Sequence, residues 1–173
     1  QITENAHATH IRPVPDGYEV TIRAPDGTAT RTSCLYVVNA LGPWANDILR
    51  ASDLPPSHDA INVRGSHLLL RDIGLTKGLF LQSPDDGRIF FLLPWLGYTL
   101  LGTTEDLFNG NPDEVNATAK DIDYLLNAAN RNLLQPIREQ DIVSTFAGLR
   151  WLALDHHKSV HETSRQFLVG ELV

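Results

Sequence analysis

Hydrophobic and polar positions form blocks that predict a buried hairpin near the middle of the chain. Two short apolar runs, 89–93 and 98–101, stand on either side of the break PWLG at 94–97. Short apolar runs bounded by Pro and Gly indicate buried strands joined by a turn. The second run stops at the hydroxyl and carboxylate side chains of GTTED, residues 102–106. This spacing favours a core hairpin with a polar exit turn, and a small-molecule site at the strand end is the alternative.

Strand-like patterns account for most of the other apolar residues. The dipeptide Asp26-Gly27 favours a tight turn, so residues 18–32 are predicted to form a hairpin. Residues 34–41, CLYVVNAL, are nearly all apolar, which indicates a strand covered on both faces. Four further strands are expected, over residues 61–71, 79–82, 141–149 and 165–172.

Helical spacing occurs at two places. Gly42-Pro43 follows the 34–41 run, and proline suits the first turn of a short helix. A longer helix begins after Thr118, because Asp121 stands in the spacing of a capping box, and it ends before Pro136. Its apolar stripe consists of Ile122, Leu125, Leu126, Ala129 and Leu133. The pattern therefore predicts an α+β fold with a mainly antiparallel mixed sheet and one long helix.

Composition narrows the functional classes. The chain has 173 residues, 42% hydrophobic and 20% charged, which are values typical of a globular protein. It carries 14 basic and 21 acidic residues, and the net charge of −7 argues against a nucleic-acid partner. No apolar run approaches the ~18 residues of a membrane span. The lone Cys34 is expected to be a packed thiol, in keeping with a reducing, cytoplasmic setting.

Several common catalytic motifs do not occur in the sequence. It contains no GxGxxG, P-loop, GxSxG or zinc-spaced Cys/His pattern, and no metal site is expected. The adjacent His156 and His157 are predicted to be solvated loop residues. His67 lies on the 61–71 strand, two residues after Gly65. From the strand pattern alone, a structural role for this lone histidine is favoured over a catalytic one.

Six segments, taken together, resemble the FAD-dependent glycerol-3-phosphate dehydrogenases and the related glycerophosphate oxidases. They read VVNALGPWANDIL at 37–49, RGSHLLL at 64–70, DGRIFFLLPW at 86–95, LLGTTED at 100–106, IDYLLNAANR at 122–131 and STFAGLR at 144–150. The resemblance covers about residues 35–170. It implies a strip of a Rossmann-like FAD-binding domain over 1–53 and a substrate-binding domain over 54–173, with the proline-containing stretch 51–58 as the boundary.

The resemblance also implies that parts of the family's flavin site lie outside this sequence. The family's GxGxxG unit and its Gly-rich, Lys-containing turn have no counterpart here. The chain also contains no Met, even at position 1. We therefore expect the central portion of a longer enzyme, which on its own binds FAD poorly and is inactive.

Five residues acquire catalytic or substrate roles through the resemblance. Oxidation of the secondary alcohol of glycerol 3-phosphate transfers a hydride to FAD and requires a base, for which His67 in the GSH motif is the candidate. Arg150 and Arg165 match the family's substrate arginines, since a guanidinium binds two phosphate oxygens at once. Thr103 and Thr104 stand where hydroxyls would hydrogen-bond substrate or flavin.

The resemblance further implies a cofactor loop and an electron acceptor. Asn39, Ala40 and Gly42 match the loop that runs close to the flavin, where a side chain at position 42 would obstruct the approach. The dehydrogenases pass electrons to a membrane quinone, so the parent protein is expected to be cytoplasmic and peripheral on the inner membrane face. A homo-oligomeric state is left open. The alternatives are a glycerophosphate oxidase, an amine or amino-acid oxidase-like flavoprotein, and a non-catalytic anion-binding α+β domain.

Overall fold

The computed structural model describes residues 2–56 and 59–153, which form two compact units that separate between Ala60 and Ile61. The predicted strand 165–172 lies outside the described residues, as do His156, His157 and Arg165. The assignment of 1–53 and 54–173 to a flavin domain and a substrate domain stays a prediction. Within the described residues, no helix is both long enough and apolar enough to cross a bilayer.

The first unit consists of an antiparallel sheet followed by a short helix. Its strands are β1 (His7–Val14), β2 (Gly17–Arg23) and β3 (Ala29–Cys34), in the spatial order β1-β2-β3. A 3₁₀ turn, Gly42–Trp44, leads into helix α1 (Ala45–Ala51). The predicted hairpin over 18–32 is confirmed by the pairing of β2 with β3. The predicted helix start at Pro43 is also confirmed, since Pro43 lies in the 3₁₀ turn that leads into α1. Proline is suited to this place because the first turn does not need the N–H that proline lacks.

Strand β1 was not predicted, because its sequence HATHIRPV is mostly polar. Its Ile11 side chain is buried and packs with Ile48 and Leu49 of α1. The Ser52 hydroxyl accepts a hydrogen bond from the Ile11 main-chain N–H at 2.8 Å and donates one to the Ile48 carbonyl at 2.7 Å. These contacts hold α1 against β1.

The predicted strand over 34–41 is wrong. Cys34 ends β3, and the residues that follow have no strand geometry and are largely exposed, with Leu35, Tyr36 and Val38 69%, 84% and 88% accessible. An apolar run forms a buried strand only if neighbouring strands accept its backbone hydrogen bonds, and none of the described strands does so here. Cys34 is correspondingly half-buried rather than packed in a core, with its thiol 3.8 Å from the Tyr18 carbonyl.

The second unit is built on a six-stranded sheet. Its strands are β4 (Ala60–Arg71), β5 (Leu79–Gln82), β6 (Ile89–Trp95), β7 (Tyr98–Gly102), β8 (Asp106–Phe108) and β9 (Ile142–Ala153). The order β5-β6-β7-β4 is antiparallel throughout, β8 pairs antiparallel with the first part of β4, and β9 pairs with β4 as well. The predicted α+β class with a mainly antiparallel sheet is therefore confirmed.

The hairpin between β6 and β7 has a tighter turn than the predicted four-residue break. Trp95 pairs with Tyr98 and Pro94 with Thr99, which leaves only Leu96-Gly97 in the turn. Both turn residues have positive φ, +50° and +81°, as a type I′ hairpin turn requires. Pro94 and Trp95, which were predicted to belong to the break, lie within β6 instead.

Helix α2 (Ala119–Asn130) covers one face of this sheet. Its predicted capping box is confirmed: the Thr118 hydroxyl accepts from the Asp121 N–H at 3.3 Å, and the Asp121 carboxylate accepts from the Thr118 N–H at 2.8 Å. The apolar core lies between the helix and the sheet and includes Leu68, Leu70, Phe90, Leu92, Leu101 and Leu125. Short 3₁₀ turns occur at Pro112–Glu114 and Glu139–Asp141.

The start of α2 is tied to β4 by a buried ion pair. Arg64 Nη2 lies 3.1 Å from an Asp121 carboxylate oxygen, and the two side chains are 13% and 0% accessible. The same nitrogen is 3.8 Å from the Asp106 carboxylate of β8. A carboxylate at the third helical position therefore caps the helix and compensates a buried guanidinium.

Candidate functional site

The predicted site residues of the second unit lie on the face of the sheet that points away from α2. Side chains alternate along β4, so Leu68 and Leu70 pack in the core while Gly65 and His67 lie on the opposite face. The strand register aligns Phe91 of β6 with Gly102 of β7, and Gly102 with His67. These three residues therefore form a row across β6, β7 and β4, with the histidine at its end.

Aromatic rings hold the imidazole of His67 in place. The Phe146 ring of β9 is stacked on it, with centroids 4.9 Å apart and planes inclined by 8°, and the Phe91 ring lies at 5.7 Å and 39°. Gly102 provides the space for the ring between the strands, because a methyl group at that position would overlap His67 Cδ2. His67 Nδ1 is buried and has no hydrogen-bond partner among the described residues.

This setting favours the neutral form of the imidazole. Burial removes the ring from water and the Arg150 guanidinium adds a nearby positive charge, and both lower the pKa of His67 from its ordinary value of 6.5. The ring is therefore uncharged near neutral pH. A neutral imidazole is the form that accepts a proton in general base catalysis.

Arg150 and Thr103 meet above Gly65. A methyl group built on Gly65 would lie 2.8 Å from Arg150 Nη1 and 2.7 Å from Thr103 Oγ1, so only glycine leaves room for the guanidinium and the hydroxyl. Arg150 Nη1 is buried without a hydrogen bond to any described residue, and the Glu105 carboxylate lies 3.9 Å from it. The Arg150 side chain as a whole is 30% accessible. A cation, a hydroxyl and a proton acceptor thus share one area of the sheet.

Thr104 is placed differently from its neighbour. It is fully buried, its hydroxyl accepts a hydrogen bond from the Ser66 N–H at 3.0 Å, and its own N–H donates to the Ser66 carbonyl at 3.3 Å. The Thr103 hydroxyl donates to the Thr104 carbonyl at 3.1 Å. Thr104 therefore joins the break between β7 and β8 to β4, and its predicted contact with substrate or flavin stays a prediction.

The predicted cofactor residues lie in an exposed loop of the first unit. Asn39 shapes this loop, because its amide donates to the Ala45 carbonyl at 2.8 Å and accepts from the Leu41 N–H at 3.3 Å. Ala40 is exposed, and Gly42 has a positive φ of +55°, with open space among the described residues where a side chain would begin. An exposed main chain beside a glycine with open space around it suits close approach by a planar ring, as expected for a flavin.

Several residues that build the site were not predicted from the sequence. Phe146 stands four positions before Arg150 on β9, so strand alternation alone would have placed both on one face. Gly102 and Phe91 could not be linked to His67 from sequence, because their proximity depends on the register of three strands. Glu105 was noted only as part of a polar exit turn.

The comparisons with known proteins agree on one family. The FAD-dependent oxidoreductases match residues 1–171 of this chain. The D-erythritol 1-phosphate dehydrogenase of Brucella abortus (strain 2308) is 31% identical over 157 residues, which cover 88% of this chain and 31% of that protein. The aerobic glycerol-3-phosphate dehydrogenase of Escherichia coli (strain K12) is 30% identical over 133 residues, 76% of this chain and 26% of that protein. The chain spans about a third or less of the length of these relatives.

One solved structure supports the same family, and a second shares the fold. The glycerol-3-phosphate dehydrogenase from Bacillus halodurans, complexed with FAD, superposes with a TM-score of 0.75 at 25% identity, over 85% of this chain and 31% of that chain. Glycine oxidase from Geobacillus kaustophilus superposes with a TM-score of 0.59 at 21% identity, over 86% of this chain and 36% of that chain. The second likeness extends to the fold alone.

Proposed function

The chain belongs to the FAD-dependent oxidoreductase family, and on this premise we propose that it forms part of a flavoenzyme that oxidises sn-glycerol 3-phosphate to dihydroxyacetone phosphate. The observation that carries the proposal is the grouping of His67, Arg150 and Thr103 on one face of the sheet. A proton acceptor beside a guanidinium is the combination that oxidation of a phosphorylated alcohol needs. The relatives named as glycerol-3-phosphate dehydrogenases support this choice of substrate.

Each side chain has a separate task in this reaction. Oxidation of a secondary alcohol removes a proton from its oxygen and a hydride from its carbon. Neutral His67 accepts the hydroxyl proton, and the lowered pKa of its imidazole keeps this form populated near neutral pH. Arg150 binds a phosphate oxygen, and the Thr103 hydroxyl lies within reach of the same ligand. Bound FAD supplies the hydride acceptor.

Charge balance indicates that one arginine is insufficient for the phosphate. The Glu105 carboxylate lies 3.9 Å from Arg150 and offsets much of its charge before any ligand binds. A phosphate dianion at such a site needs further positive charge. We therefore retain Arg165 as the second phosphate ligand, as the family resemblance implies.

The cofactor contact is proposed for the loop in the first unit. The main chain at the exposed Ala40 and the half-buried Gly42 would lie against the flavin, and Asn39 would hold the loop in shape through its two hydrogen bonds. The proposed route for the electrons leads from FAD to a membrane quinone, in a cytoplasmic enzyme bound peripherally to the inner membrane face, with a homo-oligomer left open. The isolated 173 residues are proposed to be inactive, since the family's GxGxxG unit is not among them.

A second substrate is a longer polyol phosphate. The relative named D-erythritol 1-phosphate dehydrogenase is 31% identical to this chain, and the Escherichia coli glycerol-3-phosphate dehydrogenase is 30% identical. Both substrates combine a phosphate with a secondary alcohol, so the same base and guanidinium serve either. An amine substrate is less favoured, because the glycine oxidases share only the fold.

The test is an anaerobic absorbance scan of the protein expressed from its complete reading frame. We expect a visible flavin band that bleaches on addition of sn-glycerol 3-phosphate and remains with glycine or sarcosine. Faster bleaching with erythritol phosphate would move the assignment to the second substrate. Rapid return of the bleached band when air is admitted, with formation of hydrogen peroxide, would indicate the oxidase. A protein without any flavin band would refute the flavoenzyme proposal and favour the non-catalytic, anion-binding domain.

A further inference from the structure

Three polar residues of the family-like segments form a cluster that the proposed chemistry does not use. Arg88 Nε donates to one oxygen of Asp86 at 2.6 Å, and the Tyr124 hydroxyl donates to the other oxygen at 3.1 Å. The Arg88 guanidinium also lies over the Tyr124 ring, 4.2 Å from its centroid. The hydrogen bond to Asp86 fixes the position of the Arg88 guanidinium, and its stacking on Tyr124 fixes the orientation of the guanidinium plane.

The cluster reaches the site through the main chain of Glu105. Arg88 Nη1 donates to the Glu105 carbonyl at 3.3 Å. Glu105 lies in the break between β7 and β8, where the chain has left one ladder with β4 and not yet begun the next. The Arg88 hydrogen bond therefore anchors the main chain of Glu105 at the break between the two ladders.

The side chain of Glu105 points from this anchored position toward Arg150. Its carboxylate is 3.9 Å from Arg150 Nη1, the nitrogen above Gly65 that is buried without a hydrogen bond in the described part of the chain. The Glu105 side chain is only 20% accessible. A long arginine side chain loses much conformational entropy when it is ordered, and an opposite charge that orders it beforehand lowers the cost of ligand binding.

We propose that Glu105 is a positioning residue of this site: its carboxylate holds the Arg150 guanidinium above Gly65 and beside His67, and Arg88 holds Glu105 in turn. The inference rests on the proposed function, because it concerns how that site orients its anion-binding arginine. The direction of the change in anion binding distinguishes this positioning role from a purely electrostatic effect of the Glu105 charge. Removal of a negative charge alone would strengthen anion binding, whereas release of the arginine weakens it.

The experiment uses the protein from its complete reading frame and the variant Glu105→Gln, which keeps the shape of the side chain and removes its charge. We expect the KM for sn-glycerol 3-phosphate to rise at least fivefold with kcat within threefold of wild type. The rise should fall below twofold in an Arg150→Ala background, because Glu105 acts through Arg150. Asp106→Asn is the matched control: it removes the same charge from the next residue, which pairs with Lys120 and Arg64 instead, and should keep the wild-type KM.

An unchanged or lower KM in Glu105→Gln would overturn the inference, as would a rise that persists without Arg150. If the glutamine variant does not fold, Glu105→Asp decides the matter. It keeps the charge and shortens the reach, so a KM rise of at least threefold is expected and an unchanged KM is contrary to the inference.

A readout without substrate is the NMR titration of His67. Release of Arg150 raises the pKa of His67, because the Arg150 guanidinium is one of the two causes that lower it. An unchanged or lower pKa of His67 in Glu105→Gln is contrary to the inference. A wild-type protein that does not oxidise the substrate would refute the proposed function, and the titration would still test the role of Glu105.

Discussion

Replacement of Gly102 by alanine tests whether the position of His67 depends on the missing side chain between two strands. The new methyl group would overlap His67 Cδ2 and lie 2.9 Å from both Cγ and Nε2. The ring is confined by Phe146 on one side and by Phe91 on another, so it cannot shift without disturbing an aromatic contact. Overpacking of this kind costs ~1–3 kcal/mol and a lost aromatic pair ~0.5–1.5 kcal/mol, so we expect a destabilisation of about 2–4 kcal/mol.

Activity should fall further than stability accounts for. A displaced base is out of line with the hydroxyl proton, and a misplacement of ~1 Å costs about 100-fold in rate. The measurements are the urea unfolding midpoint and the rate of anaerobic flavin reduction, on the protein from its complete reading frame. Gly148→Ala is the matched control, because a methyl group there meets no atom of the described residues within 4 Å and that glycine also lies in a strand of the same sheet. Equal stability and equal rates for the two variants would refute the steric argument.

Three further outcomes follow from the charged groups. Asp121→Ala should lower the free energy of unfolding by ~3–5 kcal/mol in urea titration, because it removes the helix cap and the nearer of the two carboxylates beside the buried Arg64. Asp123→Ala in the same helix, at an exposed position, should stay within ~0.5 kcal/mol of wild type. Burial raises the pKa of Asp121, but its helix-cap hydrogen bonds and Arg64 outweigh this and the net pKa is lowered. The stabilising effect of ionised Asp121 is therefore complete above its ordinary pKa of 3.8 and should be lost as pH falls below that value. Asp121→Asn cannot ionise, so the part of the acid unfolding that comes from Asp121 should be absent in this variant. The pKa of His67 is lowered by burial and by Arg150, so the rate of flavin reduction should not yet decline as pH falls through 6.5. Arg150→Gln should move this acid-side decline of the rate to higher pH. A decline at or above pH 6.5 in the wild type is contrary to this reasoning.

Local signals in the sequence predicted the elements whose causes are local. The spacing of Thr118 and Asp121 predicted where α2 begins, since a capping box involves only neighbouring residues. The bounds of β5 agree with the prediction of 79–82, because a short apolar run between turn residues needs no distant partner to be recognised. The end of α2 at Asn130 came earlier than the predicted stop at Pro136, as the apolar stripe continued past the helix to Leu133, which still packs on the core.

Features that depend on distant partners could not be predicted in this way. Residues 34–41 look like a buried strand, but the described residues provide no ladder for them. The short strand β8 was missed because Asp106 makes it appear polar, although that carboxylate faces Arg64 and Lys120. Within the site, His67 and Arg150 came from family resemblance, whereas the row from Phe91 to His67 follows from strand register, which a single sequence does not reveal.

The strand β4 has a consequence for how such a chain can diverge. It pairs with β7, β8 and β9, so the backbone of β4 sets the register of three strands that are far apart in sequence. A deletion of one residue within β4 would exchange its two faces, turning His67 and Gly65 toward α2 and placing leucines where the imidazole stood. Insertions and deletions should therefore accumulate in the connections 72–78 and 109–117, while β4 keeps its length of twelve residues.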